Sequence, residues 1–171
     1  MEGAGVASSL KHFACNSQEW KRFSSDSIVD ERTLREIYLY AFEIAVKEGQ
    51  PSTVMCAYNK INGVHCSDDQ RLLTDILRRE WGFDGLVVTD WGAMNDRIKA
   101  FQAGCDLNMP GGSAYMEREA ERAVDNGLLS EKIVDASALR VLNLMQKCVD
   151  NRQDYSRKTT GVGYHQTKTT A

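Results

Sequence analysis

Apolar residues recur along this chain with two periods, and the alternation between them predicts the order of its elements. Leu34, Ile37, Tyr38, Ala41, Phe42, Ala45 and Val46 follow the three-and-four spacing of one helix face, with Thr33 and Glu36 placed to form a capping box and Gly49 and Pro51 to end the helix. "TVMCAY", Thr53 to Tyr58, is a short β-favouring run bounded by Pro51 and by "NKINGV", which predicts a buried strand. Leu72, Leu73, Ile76 and Leu77 predict a second amphipathic helix ending at Gly82, and Leu86 to Thr89 a strand that runs straight into Asp90 and Trp91. A helix over about Met94 to Ala103, closed by Gly104, leads to a brief strand, Cys105 to Met109, which Pro110, Gly111 and Gly112 terminate.

Two more helices follow, from about Ala114 to Asn126 with Gly127 as C-cap, and from about Glu131 to Cys148 with Ile133, Val134, Leu142 and Met145 as the apolar stripe. After Val149 large apolar residues become rare while Thr, Lys and Gln accumulate, which predicts a folded part over 1–150 and a linker remnant or disordered tail over 151–171. With "GVASSLKHF" as a first strand, about four strand candidates each precede helical sequence, the pattern of a parallel sheet with right-handed crossovers. Every strand run ends in polar residues: Lys11 and His12, Tyr58 and Asn59, Asp90 and Trp91, Asn108. Parallel α/β folds bind ligands at the carboxyl ends of their strands, so these residues are the candidate site.

Composition narrows the partners. The 171 residues are 42% hydrophobic and 26% charged, ordinary for one globular domain, and the net charge of −3 leaves no basic patch for nucleic acid or an anionic membrane. No run approaches the ~18 apolar residues of a membrane span, and "MEGAGVASSLKHF" lacks the layout of a signal peptide. Five scattered cysteines without a Cys-x-x-Cys argue against a disulfide framework and against zinc, and point to a reducing cytoplasm. His12 with Cys15, and His65 with Cys66, lack the further ligands a metal needs, while Pro110, Gly111 and Gly112 match no phosphate loop and read as a turn. No metal or cofactor is expected; a small molecule is.

Asp90 admits two readings: a cap for the turn after its strand, or a carboxylate presented to a substrate. Beside it Trp91 is either a core residue or an aromatic platform, and a carboxylate next to an indole suits a sugar, whose ring packs on the aromatic face while the carboxylate addresses the anomeric carbon. A cation would keep Asp90 ionised, and Lys11 is the natural candidate. His12, as a lone histidine at a strand end, is more often structural than catalytic. Lys11 as a Schiff-base amine of a lyase is a further reading, but it requires a desolvated pocket.

Taken together, "KHFACNSQEWKR", "DERTLREIYLYAFEIAVKEGQPSTVMCAYNKINGVHCS", "LLTDILRREWGFDGLVVTDWGAMNDR" and "AGCDLNMPGG" closely resemble glycoside hydrolase family 3, above all its bacterial β-glucosidases, over roughly Gly5 to Asp150. The resemblance implies a (β/α)8 TIM-type barrel domain, Asp90 as catalytic nucleophile, and Lys11, His12, Tyr58 and Trp91 as the sugar-binding subsite. It also implies retaining, two-step hydrolysis of terminal β-D-glucosyl residues, with a β-glucoside or short β-linked oligosaccharide as substrate. Tyr58 would donate a hydrogen bond to the sugar ring oxygen or to Asp90. The family's N-acetylglucosaminidases continue the Lys-His-Phe motif differently, and its plant xylosidases place Cys where this chain has Trp91, which favours the β-glucosidase branch.

A complete barrel has eight strands and about 250 residues. The chain therefore reads as a partial barrel, the carboxyl-terminal half, with the family's early sugar-gripping residues expected upstream and the acid/base glutamate in a second domain downstream. Such a half-barrel leaves strand edges and apolar surface open, so the alternative to a hydrolase is an inactive sugar-binding or self-associating module. Glu19, Asp96 and Asp106 lie near the motifs and are expected to make local hydrogen bonds or face solvent rather than act as acid/base.

Overall fold

The computed structural model describes residues 6–158, and their side chains as far as 150. Along the chain come β1 (Ser9–Phe13), β2 (Asp26–Ser27), a helical run in three parts, α1 (Glu31–Thr33), α2 (Leu34–Tyr38) and α3 (Tyr40–Gly49), then β3 (Thr53–Cys56), β4 (Lys60–Ile61) and β5 (Val64–His65). After these follow α4 (Arg71–Glu80), β6 (Leu86–Thr89), α5 (Arg97–Ala103), α6 (Ala114–Asp125) and α7 (Glu131–Lys158). The fold is α/β. Its main sheet is three-stranded and parallel, in the order β1-β3-β6, with Val54 opposite Val87 and Cys56 opposite Thr89. A small sheet of β2, β4 and β5, whose two-residue strands carry no readable alternation, was not foreseen.

Several boundaries differ from the expectation for identifiable reasons. The first helical run starts at Asp30 rather than at a Thr33/Glu36 box: the Asp30 carboxylate accepts the Thr33 N–H at 3.0 Å and its hydroxyl at 2.7 Å, while Glu36 pairs with Arg32 instead. The run then widens, Leu39 N–H donating to Leu34 O five residues back at 2.9 Å. Asp96 caps α5 by accepting from Ile98 and Lys99, so that helix begins at Arg97 and not at Met94. The expected strand over Cys105–Met109 reduces to one parallel bridge, Val88 with Leu107. The first strand opens at Ser9, the preceding Gly5 lying outside the described residues, and α7 runs past Cys148 to Lys158. The rest of the tail lies outside the described residues.

The core lies between the sheet and the helices. Phe13 packs edge-on against Phe42 at 5.1 Å and Trp81 at 5.8 Å, and Leu34, Leu39, Leu72, Leu73, Ile76 and Leu77 close around it with Val54 and Val87. Each such side chain contributes about 1.5–3 kcal/mol by leaving water. The four apolar residues of α4 are all buried, as their spacing predicts.

Asp106 fixes the far helix to this core. Its side chain is fully enclosed and accepts from Arg78 Nη2 at 2.7 Å, Arg140 Nη1 at 2.7 Å, Ser137 Oγ at 2.9 Å and the Val87 N–H at 2.8 Å. Those partners belong to α4, α7 and β6, so Asp106 is neither local in its bonding nor solvent-facing, contrary to expectation. Because Ser137 and Arg140 are drawn inward, α7 docks through Ser137, Arg140, Val141 and Leu144 together with Ile133 and Val134 of the expected stripe, while Leu142 and Met145 of that stripe are each 59% exposed. Among the described residues no helix is long and apolar enough to cross a membrane.

Candidate active site

The carboxyl ends of β1, β3 and β6 meet at one rim, because parallel strands in register finish together. Backbone hydrogen bonds pin the last residue of that rim from both flanks: Asp90 N–H donates to Cys56 O at 3.2 Å, and Gly92 N–H to Met109 O at 2.7 Å. Between them the chain turns sharply. Gly92 takes φ +79° with open space where a side chain would start, so a side chain there is disfavoured by backbone conformation rather than by crowding.

The two oxygens of Asp90 divide the readings between them. Oδ1 accepts the Trp91 N–H at 2.7 Å, capping the turn, while Oδ2 stands 3.3 Å from His12 Nε2. The carboxylate is 16% exposed and His12 34%, enough for a ligand to reach both. His12, not Lys11, is the partner of Asp90: Lys11 is exposed one residue earlier on β1, and among the described residues it makes no ion pair with the carboxylate. The peptide bonds Lys11–His12 and Phe13–Ala14 are cis at this end of the strand.

Tyr58, two residues beyond β3, is buried, and its hydroxyl donates to Trp91 O at 2.8 Å with the Asp90 carboxylate beside it. Burial, and then the neighbouring Asp90 carboxylate, push its phenol above the ordinary value, so it stays a donor. Trp91 itself is 62% exposed, its indole open to solvent while its backbone is held at both N–H and C=O. Asn59, next to Tyr58, is buried and ties the loop down by donating to Ala14 O and Lys60 O.

One cation at the rim escaped the sequence reading. The Arg22 guanidinium lies over the Tyr58 ring at 4.3 Å and pairs with Glu19 at 2.6 Å. Glu19, foremost, holds the guanidinium above its ordinary value, with smaller contributions from Tyr58 and Asp90. Arg22 sits in a polar loop with no periodicity, and only its place inside the "QEWKR" motif hinted at a role. Behind the rim, Asp68 accepts from Asn95 Nδ2 and from Ser67 Oγ, both at 2.7 Å, and so braces the segment after Trp91. Among the described residues no three His, Cys, Asp or Glu side chains converge as a metal site would require.

Comparison with known proteins matches this arrangement to one family. The profile of the Glycosyl hydrolase family 3 N terminal domain covers residues 1–144. Thermostable beta-glucosidase B of Acetivibrio thermocellus is 47% identical over 154 residues, 90% of this chain and 20% of that protein. The exo-alpha-(1->6)-L-arabinopyranosidase of Bifidobacterium longum is 47% identical over 147 residues, 86% of this chain and 19% of its own length. Among solved structures, the Kluyveromyces marxianus beta-glucosidase in complex with glucose superposes with a TM-score of 0.87 at 41% identity, over 91% of this chain and 19% of that one. The chain thus spans about a fifth of the length of the relatives it matches, and a bacterial and a yeast β-glucosidase both resemble it, so no bacterial type is singled out.

Proposed function

This chain belongs to glycosyl hydrolase family 3 through the family's N-terminal domain, and from that premise we propose that it carries the nucleophile of a retaining β-glucosidase. One observation supports this most: Asp90 closes the carboxyl end of β6 with one oxygen held by the turn and the other facing His12 and solvent. In the proposed reaction Asp90 Oδ2 bonds to the anomeric carbon as the glycosidic C–O bond breaks, and a second carboxylic acid gives its proton to the departing oxygen. That acid then deprotonates water, which displaces Asp90 and returns the sugar with its configuration retained.

We assign the acid/base role to none of this chain's neighbouring carboxylates. Glu19 is engaged by Arg22, Asp96 caps α5, and Asp106 is enclosed among Arg78, Arg140 and Ser137. The partner carboxylic acid belongs to the part of the relatives' length that this chain does not cover. His12, Lys11 and Arg22 offer donors for sugar hydroxyls, and Trp91 an apolar face for the ring. The order β1-β3-β6, continued by the Leu107 bridge, supports reading the sheet as part of a TIM-type barrel.

Hydrolysis of a dinitrophenyl β-D-glucoside, whose leaving group departs without needing a proton, followed by NMR tests this reading. The β-anomer of glucose should appear first and mutarotate later, and Asp90→Asn should abolish release. First appearance of the α-anomer would remove Asp90 from the nucleophile's role.

A second reading has its own support. Leu139, Leu142, Met145 and Val149 of α7 are 55–59% exposed along one side, and Ile37, Tyr40 and Ile44 expose another apolar row. Such surface suits a self-associating module that binds sugar without turnover. Light scattering across a concentration series, with saturable glucose binding and no product, would favour it over the hydrolase.

A further inference from the structure

We propose that Phe23 selects the leaving group: its exposed ring, fixed against Tyr58 and Arg22 at the rim beside Asp90, receives the apolar face of a ring-shaped aglycone. The inference rests on the reading of Asp90 as nucleophile and extends it to a residue outside the sugar-binding set.

Phe23 is 57% exposed, with one side of its ring packed against the protein. Its ring centroid lies 4.4 Å from that of Tyr58 at a 58° tilt, and the Arg22 guanidinium lies 5.6 Å from the Phe23 ring and 4.3 Å from the Tyr58 ring, touching both. The loop that carries it is closed on itself, with Ser24 N–H and Ser25 N–H both donating to Lys21 O at 2.9 Å and Ser27 Oγ to Cys15 O at 3.0 Å. An aromatic surface held in this way loses little freedom when a ligand stacks on it.

A short chain of contacts joins Phe23 to the chemistry. Phe23 packs on Tyr58, the Tyr58 hydroxyl bonds Trp91 O at 2.8 Å, and Trp91 N–H bonds Asp90 Oδ1 at 2.7 Å. Phe23 is thus linked to Asp90 through the Tyr58 ring and the Trp91 backbone. Its side chain offers no hydrogen bond, while His12, Lys11 and Arg22 supply donors for the glucosyl hydroxyls and Trp91 already supplies a face for the glucosyl ring. What it offers is an apolar face, which an aryl group matches.

The test is equilibrium binding of phenyl 1-thio-β-D-glucoside and methyl 1-thio-β-D-glucoside, whose sulfur-linked bond resists hydrolysis, to the wild-type chain, Phe23→Ala and Phe23→Trp, with thermal melting to verify folding. The wild type and Phe23→Trp should prefer the phenyl ligand by about fivefold, and Phe23→Ala should lose that preference while binding the methyl ligand within about twofold of wild type. A phenyl preference that survives in Phe23→Ala, or an equal loss for both ligands, overturns the role of Phe23 and leaves the nucleophile reading intact. Binding of neither glucoside by the wild type overturns both.

Discussion

His12 Nε2 lies 3.3 Å from Asp90 Oδ2, although the two side chains leave β1 and the end of β6 with β3 between them. The contact spans the sheet at its carboxyl rim and forms only if all three strands hold register. It orients the oxygen that the turn leaves uncapped. His12→Ala should therefore slow covalent labelling of Asp90 by about tenfold, the order of loss when the close polar partner of a part-buried carboxylate is removed. His12→Gln, which keeps a donor, should recover part of it. Labelling rates against an activated fluoroglucoside measure both, and an unchanged rate in His12→Ala would show that the contact does not matter.

The Asp106 cluster predicts a stability effect far larger than a surface ion pair gives. Asp106→Ala leaves Arg78 and Arg140 facing each other without their shared carboxylate, and should cost about 3–5 kcal/mol in urea unfolding. Burial already pulls the Arg78 guanidinium below its ordinary value, with the Asp106 charge opposing that, so removing the carboxylate strengthens the penalty. A loss under about 1 kcal/mol, the size of an exposed pair, would contradict the enclosure of this site.

Arg35 joins two helical runs, meeting Glu80 through its two terminal guanidinium nitrogens at 2.6 and 2.9 Å and Glu31 through Nε at 2.9 Å. It holds both carboxyls below the usual range. Lowered folded-state values mean that the stabilisation is present above the unfolded carboxylate range and disappears as pH falls through the folded values. Arg35→Met should be less stable than wild type by at most about 1 kcal/mol at pH 7, and the two should converge by about pH 2, once both lowered carboxyls are protonated. Paired thermal melts at the two pH values decide it, and a gap that widens in acid would reverse the sign.

Burial separates the cysteines. Burial pushes the Cys15 thiol up to about 11 and raises Cys66, while the adjacent Cys105 and burial together raise Cys56; Cys148 is exposed. Iodoacetamide at pH 8 should modify Cys148 quickly, and Cys15, Cys56, Cys66 and Cys105 only after denaturant is added. Peptide mass mapping reads the pattern, and rapid modification of Cys56 would mean that the sheet behind Asp90 is open.

The rim was legible in the sequence because strand ends are marked twice, by the end of a β-favouring run and by the polar residue that follows. That rule located His12, Tyr58 and Asp90 without any contact being known. It could not say which side chain meets which, so Lys11 stood where His12 does, and the bond from the Tyr58 hydroxyl to the Trp91 carbonyl, made beside Asp90, was not foreseen. Arg22 and Phe23 stayed hidden because they reach Tyr58 from a loop, where spacing carries no signal. Asp106 was misjudged for a related reason: its four partners are distant in sequence, and only the fold brings them to one carboxylate. The face of α7 followed from that carboxylate as well as from its apolar residues, which is why Ile133 and Val134 dock but Leu142 and Met145 do not.

The most direct measurement is the mass of the peptide holding position 90 after incubation with an activated 2-deoxy-2-fluoro-β-glucoside. A single fluoroglucosyl addition on Asp90, absent from Asp90→Asn and blocked by excess glucose, is the predicted result. Label found on another side chain, or retained in Asp90→Asn, would contradict the assignment of this carboxylate as the group that bonds to the sugar.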